Sequence, residues 1–269
     1  MATTTISRDR LSELLDLIGL AGTVELKLTV PDSDIRHTGD RLGLDPLEAE
    51  IRQVVFFDTP ALDLNTAGLV VRARRIQGGG GDTVVKLRPV TKELLSNGEL
   101  DTSNLGVEID AMPGGFVCSA SMKGTSTAKD VSRVVKGKDE LKSILSGPQR
   151  DLFNQFAPDG LKLKDLIALG PINVLKLKFK PVGFTGKMVA ELWLYPDGTR
   201  IFELSTKCPP GETIAVTTEA RRYLEAHGVD LTAEQAPKTK RALEYFSRTH
   251  LEEIAAENAT GEPAPATTN

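Results

Sequence analysis

Charged side chains recur at alternate positions of several short segments of this 269-residue chain. The basic set comprises Lys27, Arg72, Arg74, Lys86, Arg88, Lys176 and Lys178, and the acidic set comprises Glu25, Glu108, Asp110, Glu191 and Glu203. Guanidinium and ammonium groups bind phosphate oxygens, whereas carboxylates hold Mg²⁺ or Mn²⁺ that bridges to the same phosphates. Together the two sets suit the chemistry of a metal-bound polyphosphate.

The segments that carry these charges alternate polar and apolar residues, which is typical of β-strands with one face in a core. The predicted strands are Thr23–Val30, Leu69–Ile76, Thr83–Arg88, Val107–Asp110, Leu175–Lys180, Met188–Tyr195 and Ile201–Ser205. The glycine run 78–81 predicts a hairpin tip. Because turns, and not regularly spaced helices, separate the strands, we predict a mainly β, α+β fold with an antiparallel barrel of about eight strands.

Barrel closure leaves two destinations for the charged faces, bulk water or the interior of a tunnel. Exposed positions at strand ends are an equally good interpretation for Arg88 and Asp110. A lysine row that protects an edge strand is the alternative for Lys176 and Lys178, since Lys180 continues it. Composition alone favours the solvated face.

Helical patterns fall between and after the strands. The region 125–168 is predicted to be a helical insertion in one domain spanning 1–255, and Lys238–Ile254 is predicted to be a late helix. Residues 256–269 lack core-forming side chains and are predicted to be a disordered tail.

Composition narrows the class of protein. With 33 Lys and Arg against 37 Asp and Glu, the formal net charge of -4 argues against a general nucleic-acid binder. No apolar run is long enough for a membrane span. The distant Cys118 and Cys208 predict two structural thiols and no zinc site. We therefore expect a soluble, cytoplasmic protein.

The motifs resemble those of the CYTH superfamily, the triphosphate tunnel metalloenzymes. The segment Phe56-Phe57-Asp58-Thr59-Pro60, followed by Arg72-Ala73-Arg74, is similar to the family's Phe-Asp-Thr turn and Arg-x-Arg strand. The window Thr23-Val24-Glu25-Leu26-Lys27 resembles the family's Glu-x-Glu-x-Lys strand. Lys86, Glu108, Glu191 and Glu203 match later strands, and Lys238-Thr239-Lys240-Arg241 resembles the C-terminal Ser-Lys-x-x-Arg segment.

The resemblance implies a β-barrel tunnel in which a divalent metal, Mg²⁺ or Mn²⁺, supports hydrolysis of an inorganic or nucleoside triphosphate. Catalysis would rest on Lys27, Arg74 and Glu203. Substrate would be bound by Lys27, Arg72, Arg74, Lys86, Arg88, Lys176, Lys178, Lys238 and Lys240, and the metal by Glu25, Glu108, Asp110, Glu191 and Glu203. A solvated helix start is the alternative interpretation of Lys238 and Lys240.

Two positions depart from the family pattern, because Thr23 and Ser205 stand where glutamates are expected. A hydroxyl is a poorer ligand than a carboxylate for a hard cation. A protein that binds polyphosphate or nucleotide with impaired catalysis is therefore the main alternative. An adenylyl cyclase, or an interaction module with an unknown protein partner, are the others.

Overall fold

The computed structural model describes residues 8–98, 100, 104–235 and 237–260. Its strands are β1 (Thr23–Val30), β2 (Glu50–Asp58), β3 (Leu69–Ile76), β4 (Gly80–Leu87), β5 (Gly106–Met112), β6 (Gly115–Thr127), β7 (Ile167–Phe179), β8 (Met188–Leu194) and β9 (Arg200–Cys208). The helices are α1 (Arg8–Leu20), α2 (Ile35–Arg41), α3 (Asp63–Thr66), α4 (Lys92–Ser96), α5 (Ala128–Val135), α6 (Gly147–Phe156), α7 (Thr213–Ala226) and α8 (Lys238–Thr260). None of the described helices is both long and apolar enough to cross a membrane.

The strands form one closed barrel in the order β1-β5-β6-β4-β3-β2-β7-β8-β9. The barrel fold with flanking helices is thus confirmed, with nine strands in place of the predicted eight. Sequence reasoning assigned no strand to Gly115–Thr127 and treated the end of β2 only as a motif. One pair is also not antiparallel, because β1 joins β5 in parallel and β9 in antiparallel orientation, and so closes the ring.

Period-two alternation places each strand's apolar side chains outside the barrel, under the helices. Val24, Val71 and Val85, for example, are almost fully buried in one outer cluster beneath the helices. The charged positions between them point into the barrel, as the ion pairs across it show for Lys27 and Asp110. Closure therefore gives the charged faces a tunnel interior.

Helix α8 lies across one end of the barrel. Its Ala242 and Leu243 are fully buried in a cluster with Phe56 and Trp193. Ser247 Oγ also donates a hydrogen bond to the Pro60 carbonyl at 2.7 Å. The helix continues through residues 256–260, and the remainder of the predicted tail, 261–269, lies outside the described residues.

The region 125–168 contains α5 and α6 but also the end of β6 and the start of β7. Gln149 of α6 is fully buried and holds this region to the outer barrel wall. Its Nε2 donates to the Met122 carbonyl at 3.1 Å, and its Oε1 accepts from Thr83 Oγ1 at 3.1 Å. The helical part of the insertion is therefore packed on β4 and β6.

Candidate anion-binding tunnel

The turn before β3 fixes where the paired arginines enter the tunnel. Asp58 is buried, and its Oδ1 accepts hydrogen bonds from the backbone N–H groups of Thr59 and Leu64 at 2.8 and 2.9 Å. Its Oδ2 accepts from the Asn65 N–H at 2.9 Å. Asp58 thus satisfies the free N–H groups at the start of α3, which leads the chain into β3.

The tunnel wall of β3 and β4 carries three adjacent cations, Arg72, Arg74 and Lys86. Arg74 is neutralised, because Nε and Nη2 donate to the two oxygens of Asp82 at 2.8 and 2.6 Å. Arg72 has no carboxylate of the described residues within 4.0 Å, and its buried Nε has no hydrogen-bond partner. Arg72 is therefore a positive charge without a counter-ion in the tunnel wall.

Burial lowers the pKa of Arg72 to about 10, with the neighbouring Arg74 charge as the next cause. Burial also lowers the pKa of Lys86 to about 8, although the Asp110 carboxylate opposes this shift. Both directions mean that the tunnel does not fully compensate its positive charges. An anion placed between these side chains would restore the balance.

Asp110 is the central acid of this end of the cluster and is fully inaccessible to solvent. Lys27 Nζ lies 2.9 Å from Oδ1, and Arg88 Nη1 donates to Oδ2 at 2.7 Å. Lys86 Nζ is 3.9 Å from Oδ2. Although burial raises it, the pKa of Asp110 is lowered overall by these three cations. One acid thus positions three of the predicted phosphate-binding side chains.

A second ion-pair group lies where α8 meets the barrel. Lys238 Nζ is 2.8 Å from both Glu191 Oε2 and Glu203 Oε1, and Lys176 Nζ is 2.8 Å from Glu191 Oε1. Burial opposes the charged carboxylate, but Lys238 and Lys176 hold the pKa of Glu191 well below its usual value. Lys238 also lies 4.9 Å from the centre of the Trp193 ring.

Two further acids of the predicted metal set, Glu25 and Glu108, share a lysine that sequence reasoning missed. Lys207 of β9 bonds Glu108 and lies 3.7 Å from Glu25. The alternation that places Glu203 and Ser205 in the tunnel continues to residue 207, and that signal was present in the sequence. Arg52, paired with Glu50, was missed in the same way, because β2 was not treated as a strand.

The structure does not bring every predicted site residue into this cluster. Lys178 is exposed, two positions beyond Lys176 on β7. Lys240 is also exposed, and its Nζ lies 3.8 Å from Glu244 on the outer side of α8. The positions that depart from the family pattern face the tunnel, since Ser205 lies opposite Lys27 and Thr23 opposite Glu108.

The carboxylates have the right chemistry for Mg²⁺ or Mn²⁺ but not the arrangement. Each one is engaged by at least one lysine or arginine. Within the described ranges, no three His, Cys, Asp or Glu side chains converge in a way that could hold a metal ion. The residues as arranged do not fit a divalent metal, and we derive no step through one.

The comparisons with known proteins place the fold. No protein-family model matches the chain, and no curated protein matches it. The structure of a putative adenylate cyclase from Bacillus halodurans is similar with a TM-score of 0.55 at 12% identity, over 81% of this chain and 98% of that one. HpAC1 from Hippeastrum, a putative adenylyl cyclase described with a dominant triphosphatase activity, is similar with a TM-score of 0.53 at 16% identity, over 91% and 99%. The likeness shows a shared fold, consistent with the resemblance of the motifs to the CYTH superfamily.

Proposed function

We propose that this chain is a member of the CYTH superfamily whose tunnel binds a triphosphate, either inorganic or carried by a nucleoside. The observation that carries the proposal is Arg72, a cation in the tunnel wall with no carboxylate of the described residues within 4.0 Å. A guanidinium group can donate two parallel hydrogen bonds to a phosphate. A linear triphosphate carries enough negative charge to meet Arg72 and Lys86 together.

The surrounding ion pairs support this role by holding further cations in place. Asp82 fixes Arg74 beside Arg72, and Asp110 fixes Lys27 and Arg88 around Lys86. Such preorganised cations lose little side-chain freedom when an anion binds. In this proposal Arg72 and Lys86 receive the ligand, and the paired cations extend the positive surface along the tunnel.

Metal-dependent hydrolysis, the reaction that the motifs imply, is a second candidate. It is favoured by the triphosphatase activity described for the Hippeastrum protein of the same fold. Lys27, Arg74 and Glu203 stay the proposed catalytic residues, with Mg²⁺ or Mn²⁺ as the proposed cofactor. Because lysines hold the carboxylates, this activity requires a rearrangement that binding alone does not. Cyclisation, the reaction named in both descriptions, is distinguished by its cyclic product.

Inorganic triphosphate is expected to raise the melting temperature of the protein in the presence of EDTA. At a ligand concentration of about 100 Kd, the stabilisation is about 2.7 kcal/mol, or roughly 5–10 °C. Differential scanning fluorimetry measures the shift, with sulfate at equal ionic strength as the control. No shift under any condition would refute the binding proposal. Phosphate release on adding Mg²⁺ or Mn²⁺ would support hydrolysis as well, and its absence would leave a binding protein.

Triphosphate affinity is expected to fall as the pH rises above about 8, because the bound anion favours the charged form of Lys86 and its pKa is lowered to about 8. Each pH unit above the pKa costs up to about tenfold in affinity if the proton must be regained. The matched variant is Lys86→Arg, which stays charged and removes this loss. Calorimetric titrations from about pH 7 to about pH 9.5 compare the two proteins, so that ionisation of the ligand itself cancels. Parallel pH profiles would exclude Lys86 from the binding site.

A further inference from the structure

A second concentration of positive charge lies outside the barrel, between β3 and α5. It surrounds a cavity of about 320 Å³. The lining residues, called the α5 pocket below, are Arg75, Lys129, Ser132, Arg133, Lys136 and Lys138. Arg75 follows the inward-facing Arg74 on the same strand, so the alternation of β3 turns it to the outer side. The α5 pocket is therefore separate from the tunnel.

Helix geometry builds most of this pocket from one face of α5. Lys129, Ser132, Arg133 and Lys136 stand at positions i, i+3, i+4 and i+7, which share a side of a helix. The opposite side is anchored in the core by Val131 and Val134, both buried. Thr127 caps the helix by accepting a hydrogen bond from the Asp130 N–H at 3.1 Å. The cationic face is thus held in place by packing and by a cap.

Most of the positive charge of the α5 pocket has no internal partner. Arg133 is neutralised by Asp139, with two hydrogen bonds of 2.6 and 2.7 Å. No carboxylate of the residues that the structure describes lies within 4.0 Å of Arg75, Lys129, Lys136 or Lys138. Arg75 Nη1 donates to Gln53 Oε1 at 2.6 Å, whereas its Nε is buried without a hydrogen-bond partner.

Helix stabilisation does not explain the cluster. Cations near the C-terminus of a helix are favourable, which suits Arg133 and Lys136. Lys129 lies in the first turn of α5, where the macrodipole disfavours a positive charge. Four unpartnered cations around one cavity repel each other, and an anion would relieve that repulsion.

The chemistry of the lining selects the kind of anion. The volume is at the lower end of the range for small-molecule sites, about 300–1,000 Å³. No aromatic side chain lines the α5 pocket, so nothing there stacks on a nucleic-acid base. No apolar side chain lines it to meet an acyl chain. We infer that the α5 pocket is a second anion-binding site, outside the tunnel, that takes a small inorganic oligophosphate such as pyrophosphate.

Calorimetric titration with inorganic pyrophosphate in EDTA tests this inference in the full chain. The Arg72→Met variant removes a tunnel cation and leaves the α5 pocket intact, so it isolates the second site. We expect one equivalent of pyrophosphate to bind this variant. Adding Lys129→Gln, Lys136→Gln and Lys138→Gln should weaken that binding at least tenfold, and Ser132→Asp should weaken it as well.

A matched control removes three exposed lysines elsewhere, by Lys142→Gln, Lys164→Gln and Lys187→Gln, and should leave pyrophosphate binding unchanged. An equal loss in this control would show diffuse surface charge and overturn the inference. Unaltered pyrophosphate binding in the pocket variant would also overturn it, as would loss of binding to single-stranded RNA alone. If the wild-type protein binds one equivalent that only the pocket variant loses, the second site stands and the tunnel proposal fails.

Discussion

Replacing Arg72 by methionine is expected to weaken triphosphate binding about 100-fold and to raise the melting temperature of the ligand-free protein. The loss of affinity corresponds to about 3 kcal/mol, the size of a charge-assisted pair of hydrogen bonds. The gain in stability follows because Arg72 has no counter-ion among the described residues and its buried Nε has no partner. An apolar side chain of similar length removes that desolvation cost.

The control is Arg200→Met. Arg200 lies on the exterior, where Nε and Nη2 donate to Asp32 at 2.9 and 3.1 Å. This exposed pair contributes about 0–1 kcal/mol to stability, so the variant should change neither property appreciably. Titration calorimetry and thermal melts, performed on all three proteins, measure both effects. An Arg72→Met protein that binds triphosphate as tightly as wild type would contradict the role given to this residue.

Replacing Lys238 by methionine is expected to destabilise the protein by about 3 kcal/mol or more, because it leaves an enclosed carboxylate without its cation. Glu203 has Lys238 as its only ion-pair partner among the described residues, whereas Glu191 keeps Lys176. At this chain length the melting temperature should fall by about 10 °C. Thermal melts without ligand measure the loss.

A second substitution separates charge from packing. In the Lys238→Met protein, Glu203→Gln removes the charge that has lost its partner and should recover part of the stability. Lys240→Met is the matched control on the same helix, since Lys240 is exposed. If Lys238→Met melts like wild type, or if Glu203→Gln only adds to its loss, the ion-pair group does not hold α8 to the barrel.

Much of the tunnel was predictable because strand alternation is a local property. Glu25 and Lys27, or Arg72 and Arg74, stand two residues apart and must share a face of a strand. Whether that face meets water or a tunnel depends on ring closure, which joins β1 to both β5 and β9. No window of sequence contains that contact, and only the motif resemblance anticipated it.

The pairing of charges within the tunnel was not predictable. Asp110 lies at a strand end in the sequence, where exposure was an equally good expectation, yet it is fully buried among three cations. Those partners come from β1, β4 and the segment after β4, so their convergence is a product of the barrel. The predicted metal-binding acids are consequently neutralised by lysines in the described residues.

Strand β6 escaped prediction for a different reason. Small residues, among them Ser119, Ala120 and Ser121, give weak contrast between its two faces. The α5 pocket was missed because its residues come from β3 and a helix about 55 residues later, and helical spacing alone is also typical of a solvated face.

A crystal structure of the protein grown with inorganic triphosphate in EDTA tests the central claim most directly. The account predicts phosphate density inside the barrel, with phosphate oxygens within hydrogen-bonding distance of Arg72 and Lys86. Bound triphosphate found only outside the barrel, with Arg72 still facing an unfilled tunnel, would contradict it.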